Sequence, residues 1–153
     1  MNDVLARYTQ PYDIKCWSDV YLYDNVTEII VPDNRCNDIA SLDLSRYTEL
    51  ESITIGVSSF RSLNEFRIDG FEKLENLTIG EGSFTRNPNG ADQYRKFYLM
   101  NCPLLKEVRI GHYAFADYAW SYVENLPSLE LLLYGGGNSR NFFYVNYASF
   151  QSE

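Results

Sequence analysis

The rarest side chains with acid–base or nucleophilic chemistry are a single histidine, His112, and three cysteines, Cys16, Cys36 and Cys102. An imidazole base needs an oriented partner and a nucleophile within hydrogen-bond reach. The sequence assigns His112 neither, so it reads as an ordinary turn residue. The cysteines form no CxxC pair and leave an odd one over, which argues against a disulfide framework and against a cysteine-built zinc site. A reducing compartment fits them best. Gly135-Gly136-Gly137-Asn138 lacks the lysine and the Ser or Thr that a phosphate-cradling loop needs. Asp33, Asn34, Asn37 and Asp38 match a calcium loop only in composition, because Arg35 takes a ligand position and no glycine stands at the sixth place. No catalytic, cofactor-binding or metal-ligating residue is therefore assigned, and the expected activity is non-enzymatic. Asn25-Val26-Thr27 and Asn76-Leu77-Thr78 are glycosylation sequons. Both overlap predicted strands and no export signal precedes them, so they are read as accidental.

The elements that would have to position such residues follow from size and pattern. The chain has 153 residues, 45% of them hydrophobic, enough for one domain with a real core and too many for a disordered tail. Thirteen Lys and Arg against twenty-one Asp and Glu leave a net charge of −8, which repels phosphate backbones and anionic lipid. Nucleic acid is not an expected partner. No apolar run reaches the about eighteen residues of a membrane span, and the start shows no signal peptide, so the expectation is a cytoplasmic protein without membrane insertion. A piece of a longer chain would admit a cell-surface location instead. Thirteen Tyr, nine Phe and two Trp make 16% of the chain, which places part of the tyrosine on the surface.

The chain repeats itself. An L-x-x-L-x-L pattern recurs at Val26, Ile29, Val31; at Leu50, Ile53, Ile55; at Leu74, Leu77, Ile79; at Leu105, Val108, Ile110; and at Leu129, Leu132, Tyr134, with steps of 24, 24, 31 and 24 residues. Glycine follows the second to fifth copies at Gly56, Gly80, Gly111 and Gly135, and Ser59-Phe60, Ser83-Phe84 and Ala114-Phe115 follow three of those glycines. Pro32 and Cys36 fill the glycine and phenylalanine slots of the first copy. A second series lies between: Ile39, Leu42, Leu44; Leu63, Phe66, Ile68; Tyr94, Phe97, Leu99; a degraded Tyr118, Ser121, Val123; and Phe142, Val145, Tyr147. Segments this short and this close, alternating with period two, predict strands and turns rather than helices. The long step places seven extra residues within 85–93, where Asn87-Pro88-Asn89-Gly90 is turn chemistry and predicts a protruding loop. Cys102 shares a column with Tyr47, Phe71 and Leu126 and reads as a small core residue, while Asn101 and Asn125 end strands where their amides would bond backbone groups of the adjacent repeat.

This register resembles leucine-rich repeats, in particular the BspA-like surface-antigen class of bacteria and microbial eukaryotes. The clearest match is Asn101-Cys102-Pro103-Leu104-Leu105-Lys106-Glu107-Val108-Arg109-Ile110-Gly111-His112-Tyr113-Ala114-Phe115, followed by Leu42-Asp43-Leu44-Ser45-Arg46-Tyr47 and Glu124-Asn125-Leu126-Pro127-Ser128-Leu129-Glu130. The resemblance covers roughly residues 26–150 by the repeat criterion. It implies a right-handed solenoid used for binding or adhesion, without catalysis of its own. The expected fold is a β-rich solenoid of about five coils of 24 residues, with residues 1–25 as an irregular cap or worn coil and residues 26–153 as the repeats. Because a sixth copy would begin at Glu153, the expectation is a piece of a longer solenoid or, failing that, end-to-end self-association.

If the leucine positions point inward, the residues between them form outward columns. The first face carries Glu51, Glu75, Arg109, Leu131 and Leu133, running from polar and acidic to apolar. The second carries Tyr98, Met100 and Tyr122, an aromatic patch near Tyr94 and the inserted loop. The expected function is non-catalytic binding of a protein partner through one of these faces. The alternative is a structural or adhesive surface module that binds glycan or a host surface.

Overall fold

The computed structural model describes residues 16, 24–90 and 92–135. They hold eight strands: β1 (Glu28–Val31), β2 (Ser52–Ile55), β3 (Glu65–Asp69), β4 (Asn76–Ile79), β5 (Asp92–Met100), β6 (Glu107–Ile110), β7 (Tyr118–Glu124) and β8 (Leu131–Tyr134). Among the described residues there is no helix, and hence none long and apolar enough to cross a membrane. Two sheets form, a five-stranded one in the order β1-β2-β4-β6-β8 and a three-stranded one in the order β3-β5-β7. Every pairing is parallel. Register sets Ile29, Ile53, Leu77, Val108 and Leu132 side by side in one row of the larger sheet. Phe66, Phe97 and Ser121 form the matching row of the smaller one.

Strand alternation explains this arrangement. In β1 and β2 a partly exposed residue alternates with a buried one, the period of a sheet with one face on a core. The inward rows of both sheets meet in one apolar cluster. After β2, β4, β6 and β8 of the larger sheet the backbones come too close for a side chain. A Cβ at Gly80 would stand 2.5 Å from the Gly56 carbonyl, and one at Gly111 would stand 2.6 Å from the Glu81 nitrogen. Glycine at these positions is a requirement of close approach.

Just past the glycines, buried hydroxyls join adjacent repeats. Ser83 Oγ donates to the Gly56 carbonyl at 2.6 Å and accepts from the Ser59 amide at 3.0 Å. Ser59 Oγ repeats the pattern with the Pro32 carbonyl at 2.9 Å and the Arg35 amide at 3.1 Å. The next residues, Phe60, Phe84 and Phe115, sit in the left-handed region with φ of 57–60°. That conformation is unfavourable for a bulky residue. It is offset by burial of rings that stack, with centroids 5.3 Å apart for Phe60 and Phe84 and 4.5 Å for Phe84 and Phe115.

The structure corrects the sequence reading in four places. Cys16 and Cys36 are joined by a disulfide, although their spacing of 20 residues carries no pairing signal. Cys36 occupies the phenylalanine slot with φ 61°, so the bond fills with sulfur the position that rings fill elsewhere. Closing a loop of that length restricts the unfolded chain, and reduction is expected to lower stability by about 3 kcal/mol. Urea denaturation with and without a reductant, repeated on Cys36→Ser as control, measures this; an unchanged midpoint on reduction would count against it.

Second, the segment with Ile39, Leu42 and Leu44 is not a strand, although Leu44 is buried. The Asp43 carboxylate accepts the Ser45 amide at 2.9 Å, a local turn that competes with the sheet ladder. Hydrogen bonds from Ser45 hold the Asp43 carboxyl below its usual range. A groove of about 210 Å³ separates this segment from β3.

Third, β5 starts at Asp92, inside the stretch 85–93 that holds the seven extra residues, and so begins before the copy at Tyr94. Because β5 runs nine residues, its inward alternation continues from Leu99 and Phe97 to Arg95. Arg95 thus takes the inward place that the leucine slot gives to Tyr94, and Tyr94, which the sequence also sets near the exposed aromatic patch, is 76% exposed. Fourth, the amides at strand ends bond one another and not the backbone of an adjacent repeat. Asn125 Nδ2 donates to Asn101 Oδ1 at 2.8 Å, and Asn101 Nδ2 donates to Asp69 Oδ1 at 2.9 Å. Gly70, Asn101 and Asn125 share positive φ, the conformation glycine and asparagine best accept.

Residues 1–15, 17–23 and 136–153 lie outside the described residues, and with them most of the predicted cap, the copy at Phe142, Val145 and Tyr147, and the glycine run after Gly135. The sequon residues Asn25 and Asn76 are both exposed.

Candidate binding faces

The two outward faces differ in how their groups are engaged. On the larger sheet, Glu51 is exposed just before β2, and Glu75 lies 3.6 Å from Lys106 Nζ. Arg109 on β6 lies 3.7 Å from Glu107. These are solvent-exposed pairs of small energetic weight. Leu131 is half-buried on β8 and Leu133 is 47% exposed, so the apolar end of this face is narrow.

On the smaller sheet the register aligns three outward rows. Glu65, Lys96 and Trp120 form one, Arg67, Tyr98 and Tyr122 the middle one, and Asp69, Met100 and Glu124 the third. Tyr98 and Tyr122 stack with centroids 4.9 Å apart and planes 10° from parallel. The Arg67 guanidinium lies 3.8 Å above the Tyr98 ring, a cation–π contact that extends the stack to β3. Glu65 and Asp69 flank that guanidinium at 3.5 and 3.4 Å. Trp120 is 48% exposed while its Nε1 donates to the Gln93 carbonyl. The structure thus brings Tyr98, Met100 and Tyr122 together on one face, and places Glu51, Glu75, Arg109, Leu131 and Leu133 on the other.

The outward column of the second series already sets Arg67 beside Tyr98 and Tyr122, whereas sequence reasoning missed Lys96 and Trp120 as members of this face. The parallel columns contained the signal, since residues two apart on β3, β5 and β7 share a side. It also missed a buried ionic cluster beneath the inserted loop. Arg95, fully buried, donates from Nη1 to Asp117 Oδ1 at 2.7 Å and from Nη2 to the carbonyls of Arg61 and Leu63, each at 2.7 Å. Its guanidinium lies 4.6 Å from the Tyr118 ring, and the Tyr118 hydroxyl donates to the Leu63 carbonyl. Burial pushes the Tyr118 phenol well above its ordinary range. Asp117 Oδ2 accepts the amides of Arg86 and Asn87, both at 3.0 Å, which ties the loop to this cluster.

The residues first considered for chemistry lie apart. His112 is half-buried in the turn after β6, with Nδ1 2.9 Å from the Gly135 carbonyl and its ring edge-on to Tyr113. Cys102 is fully buried, and burial pushes its thiol up to about 11, so it is protonated at neutral pH. Among the described residues no group of three His, Cys, Asp or Glu is placed to hold a metal ion. Comparison of the chain with protein-family models, with curated proteins and with solved structures found no match.

Proposed function

We propose that the chain is a leucine-rich-repeat solenoid of the BspA-like kind that binds a protein partner, without catalysis, through the outward face of the β3-β5-β7 sheet. The glycine column, the serine hydroxyls and the phenylalanine stack support the repeat reading, because each recurs at the same place in successive repeats. The observation that carries the choice of face is the Arg67-Tyr98-Tyr122 stack. Its side chains are already ordered by one another, so little rotamer freedom is lost when a partner covers them. Tyr, Trp and Arg are also the residues that most often dominate binding energy. The larger sheet offers paired charges and one exposed leucine in their place.

Affinity capture with the wild-type chain, a Tyr98→Ala/Tyr122→Ala variant and a Glu51→Lys/Glu75→Lys variant tests the reading. The wild type and the charge-reversed chain should retain the same partner, and the double alanine should release it. On purified components the double alanine is expected to weaken binding at least about a hundredfold, the loss of roughly 2.7 kcal/mol. Equal retention by both variants counts against this face and the opposite one alike.

The disulfide favours a second reading, a module exposed at a cell surface that binds glycan or a host surface. Disulfides persist in oxidising compartments and are rare in reducing ones. Recovery of the endogenous protein with Cys16 and Cys36 reduced would remove that support.

A further inference from the structure

Beyond the strand ends of the larger sheet lies a groove of about 390 Å³. Val57 and Ser58 enter it after β2, Glu81 and Gly82 after β4, and Tyr113 after β6, while Thr85, Arg86 and Pro88 of the inserted loop close one side and Arg61 another. The groove gathers two of the four described basic residues that pair with no carboxylate. Arg46, Arg67, Lys73, Arg95, Lys106 and Arg109 all pair with carboxylates. Arg35, Arg61, Arg86 and Lys96 form no such pair among the described residues, although the chain carries a net charge of −8, and Arg61 and Arg86 are the two of these that line one groove. Arg86 is held in place by a bond from Nη2 to the Ser62 carbonyl at 3.1 Å, which leaves its other guanidinium donors available.

We propose that this groove is a recognition subsite for the carboxylate of an acidic side chain in a peptide ligand. Two guanidinium groups and the Glu81 carboxylate leave the lining with one net positive charge, which balances a single carboxylate and leaves a doubly charged phosphate uncompensated. Arginine forks match carboxylate geometry with paired hydrogen bonds. Val57, 42% exposed, together with Pro88 and the Tyr113 ring, supplies an apolar wall for the methylenes that carry such a group, which an inorganic anion would not use. Glu81 is available to accept a peptide N–H beside the bound acid. The subsite goes beyond the face proposed above and does not depend on it, because none of its lining residues belongs to the β3-β5-β7 sheet.

The probes are a terminally blocked peptide with one glutamate between aliphatic residues, the same peptide with glutamine, and inorganic phosphate, each titrated into the full chain at low salt. Saturable binding of the glutamate peptide is expected, at least tenfold tighter than that of the glutamine peptide. Arg61→Gln should remove most of that difference. The Arg61 side chain makes no hydrogen bond or ion pair among the described residues, so this substitution leaves the fold intact, and an unchanged urea midpoint verifies it. Arg61→Gln/Arg86→Gln should abolish the difference. Equal affinity for the two peptides, no saturable binding of the glutamate peptide, or phosphate binding as tightly as that peptide would each overturn the assignment.

Discussion

Asp117→Ala is expected to destabilise the protein by about 3–5 kcal/mol, read as a large fall in the urea midpoint at neutral pH. The substitution leaves the Arg95 guanidinium fully buried, with its charge uncompensated and Nη1 without its partner. It also strips the acceptor from the amides of Arg86 and Asn87, so the base of the inserted loop loses its anchor. Breaking a buried pair from one side is far more harmful than removing it whole. The double substitution Arg95→Met/Asp117→Leu should therefore recover most of the loss in the β5 and β7 packing, while the loop amides stay exposed to water. A single Asp117→Ala with wild-type stability would mean that water reaches Arg95 and that the cluster is not closed.

Phe84→Ala is the second large effect, about 3–5 kcal/mol from lost transfer energy and the cavity left behind. Phe84 is fully buried at the centre of the aromatic core. Its ring centroid lies 5.3 Å from Phe60, 4.6 Å from Phe66 and 4.5 Å from Phe115, and Tyr118 meets it edge-on. Removal thus unpacks the turn phenylalanines together with Phe66 and Tyr118 of the smaller sheet. Phe84→Leu, which keeps much of the apolar volume, should lose clearly less. Thermal and urea unfolding of the two variants measure the contrast; equal losses would point to backbone strain at the positive φ and away from packing.

The strands of the larger sheet were legible because each is written in apolar spacing and all but the first are sealed by glycine. Ile53, Leu77 and Val108 align as their spacing requires, and the long step between the last two changes nothing in the pairing. The smaller sheet was legible only in part. Asp43 has a side chain able to bond the next-but-one amide, and that local contact wins over a strand which the leucines around it predict. Arg95 was hidden because a spacing rule cannot register where a strand grows longer, and Tyr94 fits the apolar pattern better than an arginine does. The Cys16–Cys36 bond joins a repeat to a segment without repeat signal, so nothing in the periodicity announces it. As for the candidate face, Tyr98, Met100 and Tyr122 could be placed together from their columns, whereas the seat of Arg67 over Tyr98 depends on a side-chain rotamer that spacing does not encode.

The contact between Gly80 and Gly111 survives an interval of 31 residues where its counterparts span 24, for a Cβ on Gly111 would still stand 2.9 Å from the Gly80 carbonyl carbon. One margin of the molecule behaves as a zip that tolerates no added tooth, and the other can be let out like a seam. The added length sits on the side that bears Arg86 and Pro88, where it reshapes the periphery without parting the weave beneath it.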